Sequence, residues 1–446
     1  MTRMTIRAIV YGIGTMSLAI APVLAASDAS GGSSSDVPMV DFAPTQSLPQ
    51  WLQLGGQIRG RFEDPSGTSL LNNSPDAYYL SRIRLDFGVT PIQGLRFFVQ
   101  TQDARTGAYN SAPAPATLYN PMDLRQGYIE LGHEGETGIR FRAGRQELAF
   151  GGERLIGPAD WGMSRTFDTL DLTVSHGAAK FDFLAGSAVQ IDPTRMDRHK
   201  PGEHFYGVYG SLQKLPFGIS IEPYLLFKQN IQIKSETGVR GDALIASPGF
   251  RAFGKTRGRF DYTAEFVLQR GSYSSDRVSA HAASGVIGWT VNKSAWKPRF
   301  SAEANYASGD PSSKDGARNT FDQFYPSNHS YYGMIDQFGW KNMKNYRAGF
   351  DFVPQKRLKL RADFNEFYLA TTKDGFYNSA GTSIVLDRNA TSSHVGSEIN
   401  GVALYQCTKI WKVGAGLGRL FAGEYLKQAR YSAGYTYPYL MFVGTF

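Results

Sequence analysis

Arg259–Gln269 reads RFDYTAEFVLQ. Phe260, Tyr262, Ala264, Phe266 and Leu268 fall on one side of an extended chain, and Arg259, Asp261, Thr263, Glu265 and Gln269 on the other, because successive side chains of a strand face opposite ways. A helix would mix these two sets, so the segment is a strand with one greasy and one wet face. The pattern spreads in both directions. In Gly56–Glu63 the set Gly56, Ile58, Gly60, Phe62 opposes Gln57, Arg59, Arg61, Glu63, and further on Phe300, Ala302, Ala304 and Tyr306 oppose Arg299, Ser301, Glu303 and Asn305. About 18 such segments can be marked between residues 56 and 446, each of the length that crosses a bilayer obliquely. The connections alternate: 64–77, 106–122 and 149–166 are long, and 90–94, 132–138 and 177–179 are short. Short turns on one rim and long loops on the other predict an all-β, up-and-down antiparallel barrel of about 18 strands in an outer membrane, with short periplasmic turns and long extracellular loops.

Composition agrees. The 446 residues are 42% hydrophobic and 19% charged, with 49 Gly, 29 Phe, 24 Tyr and a single Cys. That is too hydrophobic for a disordered chain, and one cysteine closes no internal disulfide. Beyond the first 25 residues no apolar run approaches the roughly 18 residues of a spanning helix. Arg3 and Arg7 precede an apolar stretch that ends at Val23-Leu24-Ala25, which predicts a signal peptide over 1–25 and therefore export. A polar segment and lead-in follow over 26–55, and the barrel is expected over 56–446. Loss of Arg3 and Arg7 lowers the formal charge from +8 to +6. The basic residues are scattered, so no nucleic acid is expected as a partner. The expected location is the outer membrane of a Gram-negative bacterium, with outer-membrane lipid around the wall. Phe446 closes the chain on the face of Leu440, Phe442 and Gly444, a terminal aromatic of the kind that barrel-assembly machinery would recognise.

Several blocks carry a resemblance: YLSRIRL (79–85), LRFFVQTQDAR (95–105), DLRQGYIEL (123–131), AGRQELAFGGERLIG (143–157), ASGD (307–310), TFDQFYPSNHSYY (320–332), GSEIN (396–400) and LFAGEYLK (420–427). In this order they resemble the alginate export family of outer-membrane barrels. Asn400 stands where that family would carry an aspartate. The resemblance implies an 18-stranded barrel whose arginine-lined pore passes an anionic polysaccharide or oligosaccharide, and it leaves room for periplasmic export proteins as partners. It also nominates Arg125 and Arg145 for the pore. By alternation alone Arg125 falls with Gly127, Ile129 and Leu131, on the lipid side.

The polar faces nominate Arg59, Arg61, Arg82, Arg84, Arg140, Arg142, Arg347, Lys359 and Arg361, and also Arg259 and Arg299, as lumen residues. Basic rings select anions because low-dielectric walls focus their field, and arginine pairs bidentately with carboxylates such as those of uronates. Glu63, Asp86, Asp261, Glu265, Glu303, Asp351 and Asp363 share that face, so a wall merely rigidified by ion pairs is the plainer alternative. The long loops 308–342 and 370–394 are expected to act as lids or constrictions. Asp310, Asp315, Asp322 and Asp336 match no calcium-loop spacing, so no metal and no cofactor is expected. Residues 249–256 (GFRAFGKT) satisfy the letters of a phosphate-binding loop but run into a strand rather than a helix, so they are read as a strand end and turn. No catalytic motif is present and no enzyme is expected. The remaining alternatives are a general porin for small anions and a barrel that binds glycan without conducting.

Overall fold

The computed structural model describes residues 48–109, 114–256, 259–291 and 294–446. The expected signal peptide and residues 26–47 of the lead-in lie outside the described residues.

Eighteen long strands run along the chain: β1 Leu52–Glu63, β2 Tyr78–Ile92, β3 Leu95–Gly107, β4 Asn120–Gly132, β5 Thr137–Gln146, β6 Phe167–His176, β7 Ala179–Gln190, β8 Glu203–Leu212, β9 Ile219–Lys234, β10 Arg240–Thr256, β11 Phe260–Tyr273, β12 Asp276–Thr290, β13 Arg299–Ala307, β14 Met343–Gln355, β15 Leu358–Leu369, β16 His394–Gln406, β17 Trp411–Ala422 and β18 Tyr435–Thr445. Each pairs antiparallel with its sequence neighbours. β18 returns to β1, with Gln57 opposite Thr445 and Glu63 opposite Tyr439, so the sheet closes and leaves no edge. Two further two-residue strands, Arg198–His199 and Ala317–Arg318, pair at the rim.

Each of the 18 expected segments is a strand, and the largest boundary errors fall on β9 and β10. They are the longest strands, running on to Lys234 and Thr256 past their clearest alternation. Residues 249–256 lie wholly within β10, paired to β11, and offer no phosphate-binding loop. The loop rhythm is less regular than expected. On the long-loop rim β9–β10 and β11–β12 are joined by 235–239 and 274–275 only, while 291–298 on the other rim is longer than a tight turn.

Burial is inverted relative to a soluble protein. Along β2, Arg82, Arg84 and Asp86 are 3%, 4% and 6% exposed, whereas Ile83, Leu85 and Phe87 are 45%, 52% and 49% exposed. The apolar set faces lipid and the charged set faces the interior. The interior is also filled by chain. The β5–β6 loop (147–166) and the β13–β14 loop (308–342) fold inward and meet in a parallel bridge between Ile156 and Tyr325. They bury Trp340, Tyr332, Phe321 and Ile156 in an apolar core against wall residues Phe167 and Phe205. The β15–β16 loop (370–393) backs them, since Asn342 Nδ2 donates to the carbonyls of Thr371 and Gly375 and Asp374 Oδ2 accepts from the Asp310 N–H.

Candidate pore lining and constriction

Strand register creates the first cluster. Arg59 on β1 lies directly opposite Arg82 on β2, and Arg84 follows two residues on along the same face. Like charges placed so are mutually destabilising unless an acid comes between them. Asp160, on the inward β5–β6 loop, supplies it. Arg82 holds its carboxylate bidentately, Nη1 to Oδ1 and Nη2 to Oδ2, both at 2.9 Å, and Arg84 Nη2 donates to Oδ1 at 2.5 Å. Backbone oxygens complete the cradle: Arg59 donates to the carbonyls of Asp160, Trp161 and Gly162 at 2.8, 3.0 and 2.9 Å, and Arg61 to that of Trp161 at 2.6 Å. Burial pushes the Asp160 carboxyl up, but Arg82 and Arg84, then Arg59 and Arg125, overcome it and hold that carboxyl well below the usual range. Arg61 pairs with Glu63 and Arg125 with Glu147. Arg82 and Arg84 therefore share one carboxylate, and Arg59 beside them is held by backbone carbonyls alone, a local excess of positive charge.

Arg125 reaches this cluster through a β-bulge. Gln100 on β3 faces Gln126, and the next pair is Thr101 with Leu124, so Arg125 is the extra residue. The bulge lets Arg125 and Gln126 both turn inward, at 5% exposure each. Arg125 Nη2 donates to Ser164 Oγ at 2.6 Å. Arg145 is a different case, because it lies one residue before the fully buried Gln146 and so takes the outward parity. There Asp168 clamps it at 2.8 and 3.1 Å, and it donates to the Leu124 carbonyl at 3.2 Å. Its Nη1 also lies 3.9 Å from the buried Asp123 carboxylate, at the edge of the interior.

A second cluster lies across the lumen. Arg154, from the β5–β6 loop, pairs with Glu303 at 2.6 Å, donates to the Tyr332 hydroxyl at 2.7 Å and sits 3.9 Å over the Tyr331 ring. Arg347 donates to Asp363 at 3.1 Å and to the Ser330 carbonyl at 3.3 Å, and Arg361 Nε lies 3.4 Å from the same Asp363. Met334 N donates to Glu398 at 2.7 Å, and Gly333, at φ +88°, makes the approach possible because any Cβ there would collide with that carboxylate. Toward the short-turn rim Arg140 bonds Asp171 and Glu134, Arg142 bonds Glu130, Arg299 bonds Asp261, and Lys359 and Arg259 are exposed. Most interior arginines are thus partly neutralised. Of the loop acids, Asp322 pairs with Lys228 and Asp336 with His329, and among the described residues no group of three His, Cys, Asp or Glu side chains could hold a metal ion.

Asp160, Arg154 and Trp161 escape a reading by strand alternation because they sit on a loop. The only available signal was block 143–157, which contains Arg154.

A closed 18-strand barrel with an apolar outer wall, a charged interior and inward loops defines an outer-membrane channel of the porin kind, in a Gram-negative outer membrane. The chain belongs to the alginate export family, whose sequence model matches residues 50–438. No curated protein matches it in sequence. Among solved structures it is similar to Pseudomonas aeruginosa OpdO (TM-score 0.61, 10% identity, 90% of this chain and 98% of that one) and OpdQ (0.58, 11%, 90% and 99%). It is also similar to P. aeruginosa OpdK, crystallised with vanillate (0.59, 10%, 89% and 98%). At such identities the likeness is one of fold. The family and these neighbours are channel proteins rather than enzymes.

Proposed function

We propose that the channel passes an anionic polysaccharide or oligosaccharide by facilitated diffusion, with Arg59, Arg61, Arg82, Arg84 and Arg125 on one wall and Arg347, Arg361 and Lys359 on the other as successive weak sites. Arg140 and Arg142 extend the path toward the short-turn rim. The observation that carries this reading is Asp160: the guanidinium groups of Arg82 and Arg84 converge on its carboxylate, presented by a loop, with Arg59 beside them on the loop's backbone carbonyls. A uronate unit presents the same group with the same bidentate geometry. Conduction needs sites strong enough to occupy and weak enough to leave, and partial neutralisation by neighbouring acids provides the second condition. Family membership supports the substrate class. Phe446, exposed at the seam with its carbonyl accepting from the Gly56 N–H, supports recognition by the assembly machinery.

The experiment is single-channel recording in planar bilayers with uronate oligomers against neutral glucans of equal length. Block by the uronates alone supports the proposal, and equal block by both removes it. A second reading, a porin for small acids, draws on the narrowing of the lumen by two inward loops to an outer hollow of about 640 Å³. It expects permeation by benzoate-sized anions and no block by uronate polymers.

A further inference from the structure

Two hollows inside the barrel share a wall that is one side chain thick. The outer hollow, about 640 Å³, is bordered by Arg61, Tyr435 and Tyr437, which sit at the long-loop ends of β1 and β18. A small inner pocket, about 30 Å³, is bordered by Arg347, Arg361, Asp363 and Asn400 at the middle and lower levels of β14, β15 and β16. His329 and Met334 border both.

The His329 imidazole is held from two sides. It stacks on the Trp161 indole at 4.4 Å between centroids and 10° between planes, and its Nδ1 lies 2.9 Å from Asp336 Oδ2. Trp161 is fixed in turn, since its Nε1 donates to the Tyr437 hydroxyl at 3.1 Å and the Arg61 guanidinium lies 4.0 Å from its ring. Trp161 belongs to the β5–β6 loop and His329 to the β13–β14 loop, so the stack joins the two inward loops a few residues beyond their Ile156–Tyr325 bridge. Cations stand on both sides of it: Arg347 and Arg361 below, Arg61 above.

We propose that His329, stacked on Trp161, is the septum between the two hollows, and that displacement of this imidazole joins them into the path an anion follows between Arg361 and Arg61. His329 is then the residue that sets the bore of the channel. The inference does not depend on which anion passes, only on conduction through the barrel.

The test uses the full-length protein with its native cysteine removed (Cys407→Ser), since Cys407 is the sole cysteine of the chain. In that background His329→Cys is recorded in a planar bilayer while a small charged thiosulfonate is added to one chamber and then, in a fresh membrane, to the other. A septum residue is reached from both chambers, and its modification lowers single-channel conductance by about twofold or more. His329→Ala raises conductance by about twofold, and His329→Phe, which keeps the stack, leaves it near the wild-type value. Modification from one chamber only, or a His329→Ala channel with wild-type conductance, overturns the septum. A wild-type protein that does not conduct overturns the channel proposal instead, so the two failures are told apart. Heat-modifiable gel mobility confirms that each variant is a folded barrel, and the Cys and Phe variants carry the test if the Ala variant fails it.

Discussion

Asp160→Asn removes one negative charge from the place where Arg59, Arg82 and Arg84 converge and leaves the side-chain shape intact. By Coulomb's law a unit charge acts on an ion ~10 Å away with about 0.4 kcal/mol in bulk water and about 1.7 kcal/mol at an effective dielectric of about 20. The local concentration of a monovalent anion should therefore rise by a factor between about 2 and about 20, toward the upper end where loops 147–166 and 308–342 exclude water. The carboxylate's loss also frees its loop. Breaking a buried pair by removing one partner costs about 3–5 kcal/mol, and Asp160 accepts from Arg82 at two points and from Arg84 at a third. Both consequences act in the same direction, toward more anion current. The assay is the reversal potential of purified protein in a tenfold potassium chloride gradient, read with single-channel conductance. A shift toward the chloride potential with higher conductance is expected. An unchanged potential, or a shift toward potassium, would refute the placement of this arginine group on the ion path. Because the Asp160 carboxyl is held below the usual range, its docking contributes stability that is present above about pH 4 and is lost only as pH falls through the depressed value. The Asp160 contribution to selectivity should accordingly hold constant from neutral pH down to about 4.

Arg82→Glu and Arg361→Glu each change the interior charge by two units and should move the reversal potential toward cations; identical potentials for variants and wild type would take both residues off the path. Arg154→Met removes the nearer of the two arginines of Glu303, leaving it Arg347 at 3.6 Å, and removes the cation over Tyr331; the loss, below the about 3–5 kcal/mol of a fully unpaired buried charge, should expose the 308–342 loop to limited proteolysis with little change in barrel mobility on gels. Burial, with the charge of Asp123 added and a hydrogen bond from the Asp192 N–H opposing, pushes the Asp197 carboxyl up to about 6. A raised carboxyl favours the fold in its neutral form, so the 191–199 segment should loosen as pH rises from about 4 to about 6, seen as faster protease cleavage there. Asp197→Asn should abolish that pH dependence.

How far the sequence was legible follows from where each side chain's partner lies. A strand between lipid and water writes its environment into every second residue, so Ile83, Leu85 and Phe87 against Arg82, Arg84 and Asp86 could be read without partners. The bulge at Arg125 left only an indirect trace, a charged residue at a lipid-facing position, because one extra residue inverts parity from that point. Arg145 follows Gly144 with the parity of Asp168, which clamps it, while its guanidinium reaches toward the buried Asp123, a contact that alternation does not encode. The interior loops were out of reach of periodicity. The 320–332 segment TFDQFYPSNHSYY has the composition of a buried core but no period, since it packs as irregular chain inside a cylinder. Asp160 meets Arg82 across 78 residues of chain, a pairing that no local pattern encodes.

The distribution of acids along the interior argues for transport over tight binding. If the arginines of β1–β4 and β14–β15 had no acidic neighbours, a polymer bearing many carboxylates would be held at every unit and leave slowly, since weak interactions along one chain multiply in affinity. Instead Arg61 has Glu63, Arg125 has Glu147, and Arg347 and Arg361 share Asp363. Each passing carboxylate must compete with a resident one, which lowers the depth of every site while keeping the wall's positive field in place. Asp160, like Glu147, is carried on the β5–β6 loop rather than on the wall, and it sits deeper in that loop. On the proposed path, a carboxylate that displaces Asp160 would take over its bonds to Arg82 and Arg84, so this group is the place where selectivity between anions and neutral solutes should fail first on mutation.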